Sequence, residues 1–156
     1  MATPEFILEL RRHIGHAPLP LPSVTAVVFD DAGRVLLNRR SDDHRWSLLS
    51  GVLEPGEQPA AGAIREVYEE TAVEVAVERI LAVEALELRR IANGDQVYWF
   101  EVSLACRAVG GEARVNDDES IDVAWFAPDA VPEIGDRQKR YLELALDPTA
   151  APYFVS

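Results

Sequence analysis

The chain has 156 residues, 48% of them hydrophobic, which is enough for one packed core but short for two domains. Its formal net charge of -12 predicts an acidic surface that repels nucleic-acid backbones and anionic lipid headgroups, so neither polymeric nucleic acid nor a membrane is an expected partner. Cys106 is the only cysteine, which excludes an intrachain disulfide and makes the cytoplasm the expected compartment.

The first predicted element is a short amino-terminal helix within residues 1–16. Phe6, Ile7 and Leu10 are spaced like one face of a helix, and Gly15 is the expected stop. This segment carries acidic residues and no long apolar run, so neither a signal peptide nor a membrane span is expected. An exposed Phe6 would offer a contact for a possible homodimer.

Strands and two further helices follow an expected extended connector at residues 17–22, which contains three prolines. Helices are predicted at Pro59–Thr71 and Asp136–Leu146, and residues 41–56 have no regular pattern. The predicted strands are residues 24–30, 34–39, 73–77, 80–88, 96–106 and 122–126. Helices that lie between and after the strands, without strict alternation, favour a mixed α/β sandwich over a doubly wound sheet.

The candidate catalytic and metal-binding residues lie mainly in the helix predicted at Pro59–Thr71. At about 100° per residue, Glu66, Glu69 and Glu70 fall on one face. The opposite face is predicted to be apolar, with Ile64, Val67, Tyr68 and Thr71. Like charges at these spacings destabilise an isolated helix by about 0.2–0.5 kcal/mol a pair, and bound Mg²⁺ is a natural way to offset the repulsion. A solvated glutamate-rich face is the plain alternative.

The wider spacing resembles the Nudix box: Gly, five residues, Glu, seven residues, Arg-Glu, an aliphatic residue, any residue, Glu-Glu, any residue, Gly, an aliphatic residue. The matching positions are Gly51, Glu57, Arg65, Glu66, Val67, Glu69, Glu70 and Val73. Ala72 departs from the pattern, because it stands where the family has glycine. The resemblance implies an α/β/α sandwich with a mixed central β-sheet and the Nudix loop-helix-loop at residues 51–73, as one Nudix hydrolase domain over residues 1–156.

The resemblance also implies a metal-dependent hydrolase that cleaves a diphosphate linkage in a small nucleoside diphosphate derivative or a nucleoside triphosphate, with Mg²⁺ or, as a substitute, Mn²⁺. Glu66, Glu69 and Glu70 would be metal ligands. Arg65 would orient a neighbouring carboxylate, and Glu57 would brace the loop or support the metal shell.

Four further positions complete the predicted site. Gly51 would let the backbone come close to metal or substrate. Glu119, outside the box, is a candidate metal ligand and the rival of Glu69 as general base, although a polar turn residue is an equally good interpretation. Trp46 could stack on a nucleobase and Arg39 could pair with phosphate; a packed loop aromatic and a solvated strand-end arginine are the plain alternatives.

Two alternatives stay open on function. One is a non-catalytic nucleotide-binding module of the same fold, and the other, less favoured, is isomerase chemistry on a diphosphate. Substrate choice depends on loops outside the box. Glu87 and Leu88 occupy the region where ADP-ribose hydrolases of the family carry a proline, so a nucleoside triphosphate or modified nucleotide is favoured by elimination.

Overall fold

The computed structural model describes residues 3–156. The helices are α1 (Glu5–Ile14), α2 (Pro59–Thr71) and α3 (Asp136–Leu146), with a short 3₁₀ turn at Pro128–Ala130. The strands are β1 (Leu19–Phe29), β2 (Val35–Arg40), β3 (Trp46–Ser47), β4 (Leu49–Val52), β5 (Val73–Ala85), β6 (Arg89–Arg90), β7 (Gln96–Gly111), β8 (Ser120–Phe126) and β9 (Tyr153–Phe154). No helix of the described chain is long and apolar enough to cross a membrane.

The strands form one mixed sheet. Its main path runs β3-β2-β1-β7-β5-β9, while β4 pairs with β1, β6 with β7 and β8 with β2. β1 and β7 are parallel from Leu19 opposite Val97 to Phe29 opposite Arg107, whereas β5 and β7 are antiparallel. The long parallel pair brings residues far apart in sequence onto neighbouring strands at the centre of the sheet.

The helices cover both faces of this sheet, and β1 is therefore buried on both sides. Val24 and Val28 pack in the core cluster that contains Val67 of α2. Val27 points the other way, into the cluster that contains Tyr141 of α3. Successive residues of a strand face opposite sides, so α2 and α3 lie on opposite faces. The predicted α/β/α sandwich with a mixed central sheet is confirmed.

A smaller cluster fixes α1 to the start of β1. Ile7 is buried there with Leu21, and Phe6 packs partly buried against them. The expectation of an exposed Phe6 is therefore wrong, since the apolar face of the helix docks on the sheet. The large apolar side chains that α1 exposes include Leu8 and Leu10.

Both predicted helices α2 and α3 have the expected bounds, but several strands differ. The residues predicted as a connector, 17–22, largely belong to β1, which begins at Leu19. β5 is one strand with three irregular points rather than two strands, because its bulges let it remain paired with β7. The region 41–56, expected to be irregular, contains β3 and β4.

Candidate active site

The box begins with a close approach between β4 and α2. A Cβ atom at Gly51 would overlap the carboxylate carbon of Glu66, so only glycine fits beside that side chain. Glu66 is 1% exposed, and its Oε2 is buried without a hydrogen-bond partner. A buried carboxylate oxygen without a partner is costly, typically about 1–3 kcal/mol or more, so this oxygen is a natural point of attachment for a cation.

Arg65 ties the loop before α2 to the carboxylates on the helix. Its Nε and Nη2 each donate to one carboxylate oxygen of Glu57 at 2.8 Å, and Nη2 also donates to the Val52 carbonyl at 3.1 Å. Its Nη1 donates to Oε1 of Glu66 at 2.7 Å and to Oε2 of Glu69 at 3.2 Å. The hydrogen bonds from Arg65 also hold the pKa of Glu57 below its ordinary value. Arg65 thus holds Oε1 of Glu66 in place and forms no hydrogen bond with Oε2 of Glu66.

The carboxylates lie deeper in the protein than the helical pattern suggested. Glu66 and Glu70 are 1% and 2% exposed, and only Glu69 is exposed. On the predicted apolar face, Val67 and Thr71 are buried, whereas Ile64 and Tyr68 are 41% and 49% exposed. The sheet-facing stripe comprises Gly62, Ala63, Glu66, Val67, Glu70 and Thr71. Among its acidic members, Glu70 reaches the Asn38 amide on β2 and Glu66 lies against the Gly51 backbone on β4, which a helical projection alone does not show.

Glu70 is held by a residue that the sequence analysis did not identify. Asn38, on β2 and 4% exposed, donates from Nδ2 to Oε2 of Glu70 at 3.1 Å and to Oγ of Ser120 at 3.0 Å. Ser120 opens β8 directly after Glu119, so Asn38 links the box helix to the segment with the out-of-box carboxylate. The available signal was an amide side chain at the end of the apolar run 35–37.

Burial and mutual repulsion perturb these carboxylates. Burial raises the pKa of Glu66 to about 7, against the lowering effect of Arg65, and the nearby Glu69 and Glu119 raise it further. Burial, with Glu66 and Glu119 as neighbours, raises the pKa of Glu70 well above its ordinary value. The pKa of Glu119 is also raised, mainly by burial. The structure therefore brings Glu66, Glu69, Glu70 and Glu119 into one negative cluster.

The donor set fits a hard divalent cation, because every ionisable group in the cluster is a carboxylate and the partnerless Glu66 oxygen faces no competing donor. Across residues 3–156, no three acidic, histidine or cysteine side chains already enclose a position for an ion. The side chains would thus supply part of a coordination shell. Mg²⁺ commonly completes such a shell with water and substrate phosphate oxygens.

A cleft of about 840 Å³ extends from the box across the sheet. Gly51 and Val52 form part of one wall, and Trp99 is the only aromatic side chain among the described lining residues. Five arginines line it: Arg40, Arg89, Arg90, Arg137 and Arg140. Five carboxylates line it as well: Asp42, Asp43, Glu84, Glu87 and Glu101. Three of the arginines pair with them, as Arg40 with Asp42, Arg137 with Glu101 and Arg140 with Glu84. No ion pair within the described residues engages Arg89 or Arg90, so these two can best meet an anionic substrate.

Two predicted substrate contacts lie outside this cleft. Trp46 packs edge-to-face on Phe126, with ring centroids 4.9 Å apart. Arg39 donates from Nε to the carbonyl of His44 and does not line the cleft, whereas Arg40 does. Successive residues on a strand point to opposite faces, which explains why the neighbouring arginine is the one that reaches the cleft.

Comparison with known proteins gives a consistent result. The NUDIX domain family model matches residues 19–145. A MutT-like protein of Streptomyces ambofaciens is 38% identical over 116 residues, which cover 74% of this chain and 70% of that protein. Among solved structures, a UDP-X diphosphatase matches with a TM-score of 0.64 and 26% identity, covering 91% of this chain and 68% of that chain. A MutT NUDIX hydrolase from Burkholderia pseudomallei matches with a TM-score of 0.61 and 28% identity, covering 81% and 98%. The box, the cluster of glutamates around it and these similarities agree, and the chain belongs to the NUDIX family as a Nudix hydrolase.

Proposed function

We propose that this Nudix hydrolase uses Mg²⁺, or Mn²⁺ as a substitute, to cleave a diphosphate linkage in a small nucleotide derivative. The observation that carries the proposal is the Glu66 carboxylate, which is buried against Gly51 with one oxygen lacking a partner. Glu70 and Glu119 raise the local negative charge, and an arginine-lined cleft begins beside them. A cation and an anionic substrate would each compensate the other's charge at this junction.

Each residue has a proposed role. Glu66, Glu69 and Glu70 would hold the cation, with Glu119 as an additional ligand. A bound divalent cation supplies charge neutralisation for the diphosphate and makes water easier to ionise. Glu57 supports the shell by holding Arg65, which in turn orients Glu66.

The general base is proposed to be Glu69, with Glu119 as the rival. Glu69 is the exposed member of the box carboxylates, so water and substrate can reach it. Its contact with Arg65 at 3.2 Å keeps it close to Glu66. A base in this position would take a proton from the water that attacks phosphorus.

The substrate is proposed to be a nucleoside diphosphate derivative or a nucleoside triphosphate that enters the arginine-lined cleft. Arg40 is better placed than Arg39 to meet phosphate, and Trp99 is better placed than Trp46 to meet a base, because only Arg40 and Trp99 line the cleft. The lone Cys106 is compatible with a reducing cytoplasm, where we propose that the enzyme works.

The test is release of phosphate, pyrophosphate or nucleoside monophosphate from nucleoside triphosphates, nucleotide sugars, ADP-ribose and dinucleotides, with Mg²⁺ or Mn²⁺. We expect metal-dependent turnover of one substrate class. Glu69→Gln should lower kcat by about 10²-fold or more, as loss of a general base does. Glu74→Gln, an exposed glutamate on β5 with the same change in charge, is the matched control and should leave kcat within about twofold.

Two outcomes revise the proposal. Glu119 is the general base if two results are obtained together. Glu119→Gln must lower kcat more than Glu69→Gln does, and the pH profile of kcat in Glu119→Gln must no longer depend on the deprotonation of a basic group. If no compound is hydrolysed while nucleotides still raise the melting temperature, the chain is a non-catalytic nucleotide-binding module.

A further inference from the structure

A second set of charged residues crosses the cleft floor, away from the box helix. Glu84 on β5 and Glu101 on β7 stand directly opposite each other on neighbouring strands. Glu101 is opposite Ser23 on β1, and Ser23 is opposite Val52 on β4, so this row leads from β5 to the strand that carries Gly51. Like charges directly opposite on a sheet destabilise it. Two facing carboxylates on the floor of a cleft therefore call for an explanation. We name Glu84 and Glu101 the acidic floor.

Helix α3 holds the acidic floor in place. The Tyr141 hydroxyl lies 2.9 Å from Oε2 of Glu84 and 2.8 Å from Oε1 of Glu101, and its one proton can be donated to only one of them at a time. Arg140 donates from Nη2 to both oxygens of Glu84 at 2.8 Å. Nε of Arg137 lies 3.4 Å from Oε1 of Glu101. Two guanidinium groups balance two carboxylates, and all four line the cleft.

One carboxylate oxygen of the acidic floor accepts a single, long hydrogen bond within the described chain. Oε2 of Glu101 receives only a long contact of 3.4 Å from the Ser23 hydroxyl, although Glu101 is 5% exposed. A carboxylate only accepts hydrogen bonds, so this oxygen can receive an O–H or N–H donor from a ligand and repels phosphate. Adjacent guanidinium groups offer donors. A sugar hydroxyl, which both donates and accepts hydrogen bonds, matches this arrangement of carboxylate acceptors beside guanidinium donors.

We propose that the acidic floor binds the hydroxyl groups of a sugar attached beyond the diphosphate, which makes the substrate class a nucleoside diphosphate sugar rather than a nucleoside triphosphate. This inference rests on the proposed function, because it takes the diphosphate to lie at the box. A terminal phosphate on the floor would find the two guanidinium groups already paired with carboxylates, and so would gain no net attraction there. A nucleobase would favour aromatic faces, and Trp99 alone supplies one among the described lining residues.

The test uses two analogues in which a CH₂ group replaces the oxygen that bridges the phosphorus atoms, so that neither can be hydrolysed there. One is the analogue of ADP-ribose, and the other is that of the ADP β-methyl ester, which has the same charge and no second sugar. Calorimetry with Mg²⁺ gives both Kd values for the parent and for Glu101→Gln, Glu84→Gln and the control Glu87→Gln. Glu87 lines the cleft, and within the described residues no hydrogen bond or ion pair joins it to the acidic floor.

We expect the parent to bind the sugar-bearing analogue about tenfold or more tightly than the methyl ester, as hydrogen bonds to a charged group imply. Glu101→Gln should reduce this preference to about threefold or less. Glu84→Gln should reduce it too, and it serves as the second variant if Glu101→Gln melts too early to be measured. Glu87→Gln should strengthen or weaken both analogues equally and leave the preference intact.

Equal binding of the two analogues by the parent, or an unchanged preference in both acidic-floor variants, would overturn the inference. So would a loss of affinity that is equal for both analogues and disappears when the nucleoside ribose is 2′-deoxy, because the floor would then contact the nucleoside. Failure of the proposed function has a different signature. In that case no natural diphosphate is hydrolysed with Mg²⁺, while the sugar preference and its loss in Glu101→Gln persist.

Discussion

At the scale of single residues, Gly51 shows how one missing side chain shapes the site. The Glu66 carboxylate occupies the space where a Cβ would be, and Glu66 is held there by Arg65. Gly51→Ala should therefore displace either the carboxylate or β4. We expect kcat/KM with Mg²⁺ to fall about 10²-fold, since small misplacements of positioned groups have effects of that size. Stability should fall by about 1–3 kcal/mol from overpacking.

Gly135→Ala is the matched control for this change. Gly135 has an ordinary φ of -60°, and a Cβ there would meet nothing within 4 Å. It should therefore keep kcat/KM within about twofold. Steady-state kinetics and thermal melts of both variants decide the matter. Full activity in Gly51→Ala would show that Glu66 does not need its present position.

Ala72 stands where the Nudix box has glycine, and it adopts a backbone conformation that is unfavourable for alanine. It ends α2 in the left-handed region, with φ 59° and ψ 15°, so the turn keeps its geometry without glycine. Relief of that conformation favours Ala72→Gly by about 1–2 kcal/mol, while loss of the buried methyl group costs about 0.8 kcal/mol. The greater freedom of glycine in the unfolded chain offsets about a further 0.5–1 kcal/mol, so we expect a net gain of up to about 0.5 kcal/mol, or about 1–2 °C in Tm.

A matched change tests the cause of that gain. Ala127 is exposed, with φ -60° and ψ 143°, a conformation that alanine adopts without strain. Ala127→Gly should lower stability by about 0.5–1 kcal/mol through the greater freedom of the unfolded chain. Denaturant melts of the two variants should move in opposite directions. A loss of stability in Ala72→Gly would mean that packing of its methyl group outweighs backbone strain.

At the scale of elements, the beginning of β1 explains why prolines misled the prediction of a connector. Pro20 and Pro22 lie on the exposed face of β1, and the Pro22 carbonyl accepts from the Leu53 amide on the side of β4. Pairing with β4 begins only at Ser23, so the missing proline N–H groups face the side of β1 where the β4 ladder has not yet begun, while the other side pairs with β7. Helices α2 and α3 were predictable because their periodicity and end signals are local, whereas this pairing is not.

Arg79 joins β5 to the end of α3. It lies where the register of β5 shifts, and its guanidinium donates to the carbonyls of Leu144 at 2.6 Å and Asp147 at 2.9 Å. These carbonyls belong to the end of a helix, where a cation is favourable. Arg79→Met should lower the free energy of unfolding by about 1–2 kcal/mol, and Arg79→Lys should recover part of the loss.

Chemical denaturation measures both changes, with Arg107→Met as the control. Arg107 pairs with Glu78 on the surface, with both side chains about half exposed, so its loss should change stability by less than about 0.5 kcal/mol. Equal effects of Arg79→Met and Arg107→Met would show that the helix end does not depend on Arg79.

At the scale of the whole molecule, the sequence predicted the residues of the box better than their partners. Glu66 and Glu70 stand in a recognisable local spacing, so they could be assigned to one helix. Asn38 reaches Glu70 from β2, and Glu101 reaches the cleft from β7; the neighbours of both strands are set by tertiary pairing. Nothing local distinguishes Glu101 from an outward-facing strand residue. The parallel pairing of β1 with β7 places it on the cleft floor.

The buried carboxylates also make the stability of the whole molecule depend on pH. The pKa of Glu66 is raised to about 7 and that of Glu70 lies well above its ordinary value, both mainly through burial. In the unfolded chain both would titrate near about 4.3. A carboxyl group whose pKa is higher in the folded state contributes stability fully below its unfolded pKa and loses it as pH rises through the folded pKa.

Divalent metal should reverse this loss, because the ionised carboxylates are the form that binds a cation. In EDTA we expect Tm to fall by several degrees between about pH 6 and about pH 8, given that a shift of two pKa units corresponds to about 3 kcal/mol. Addition of about 10 mM Mg²⁺ should raise Tm more at the higher pH than at the lower. Glu66→Gln should flatten the pH dependence in EDTA, whereas Glu74→Gln should not. Equal Mg²⁺-induced shifts at both pH values would mean that the cation does not bind these buried carboxylates.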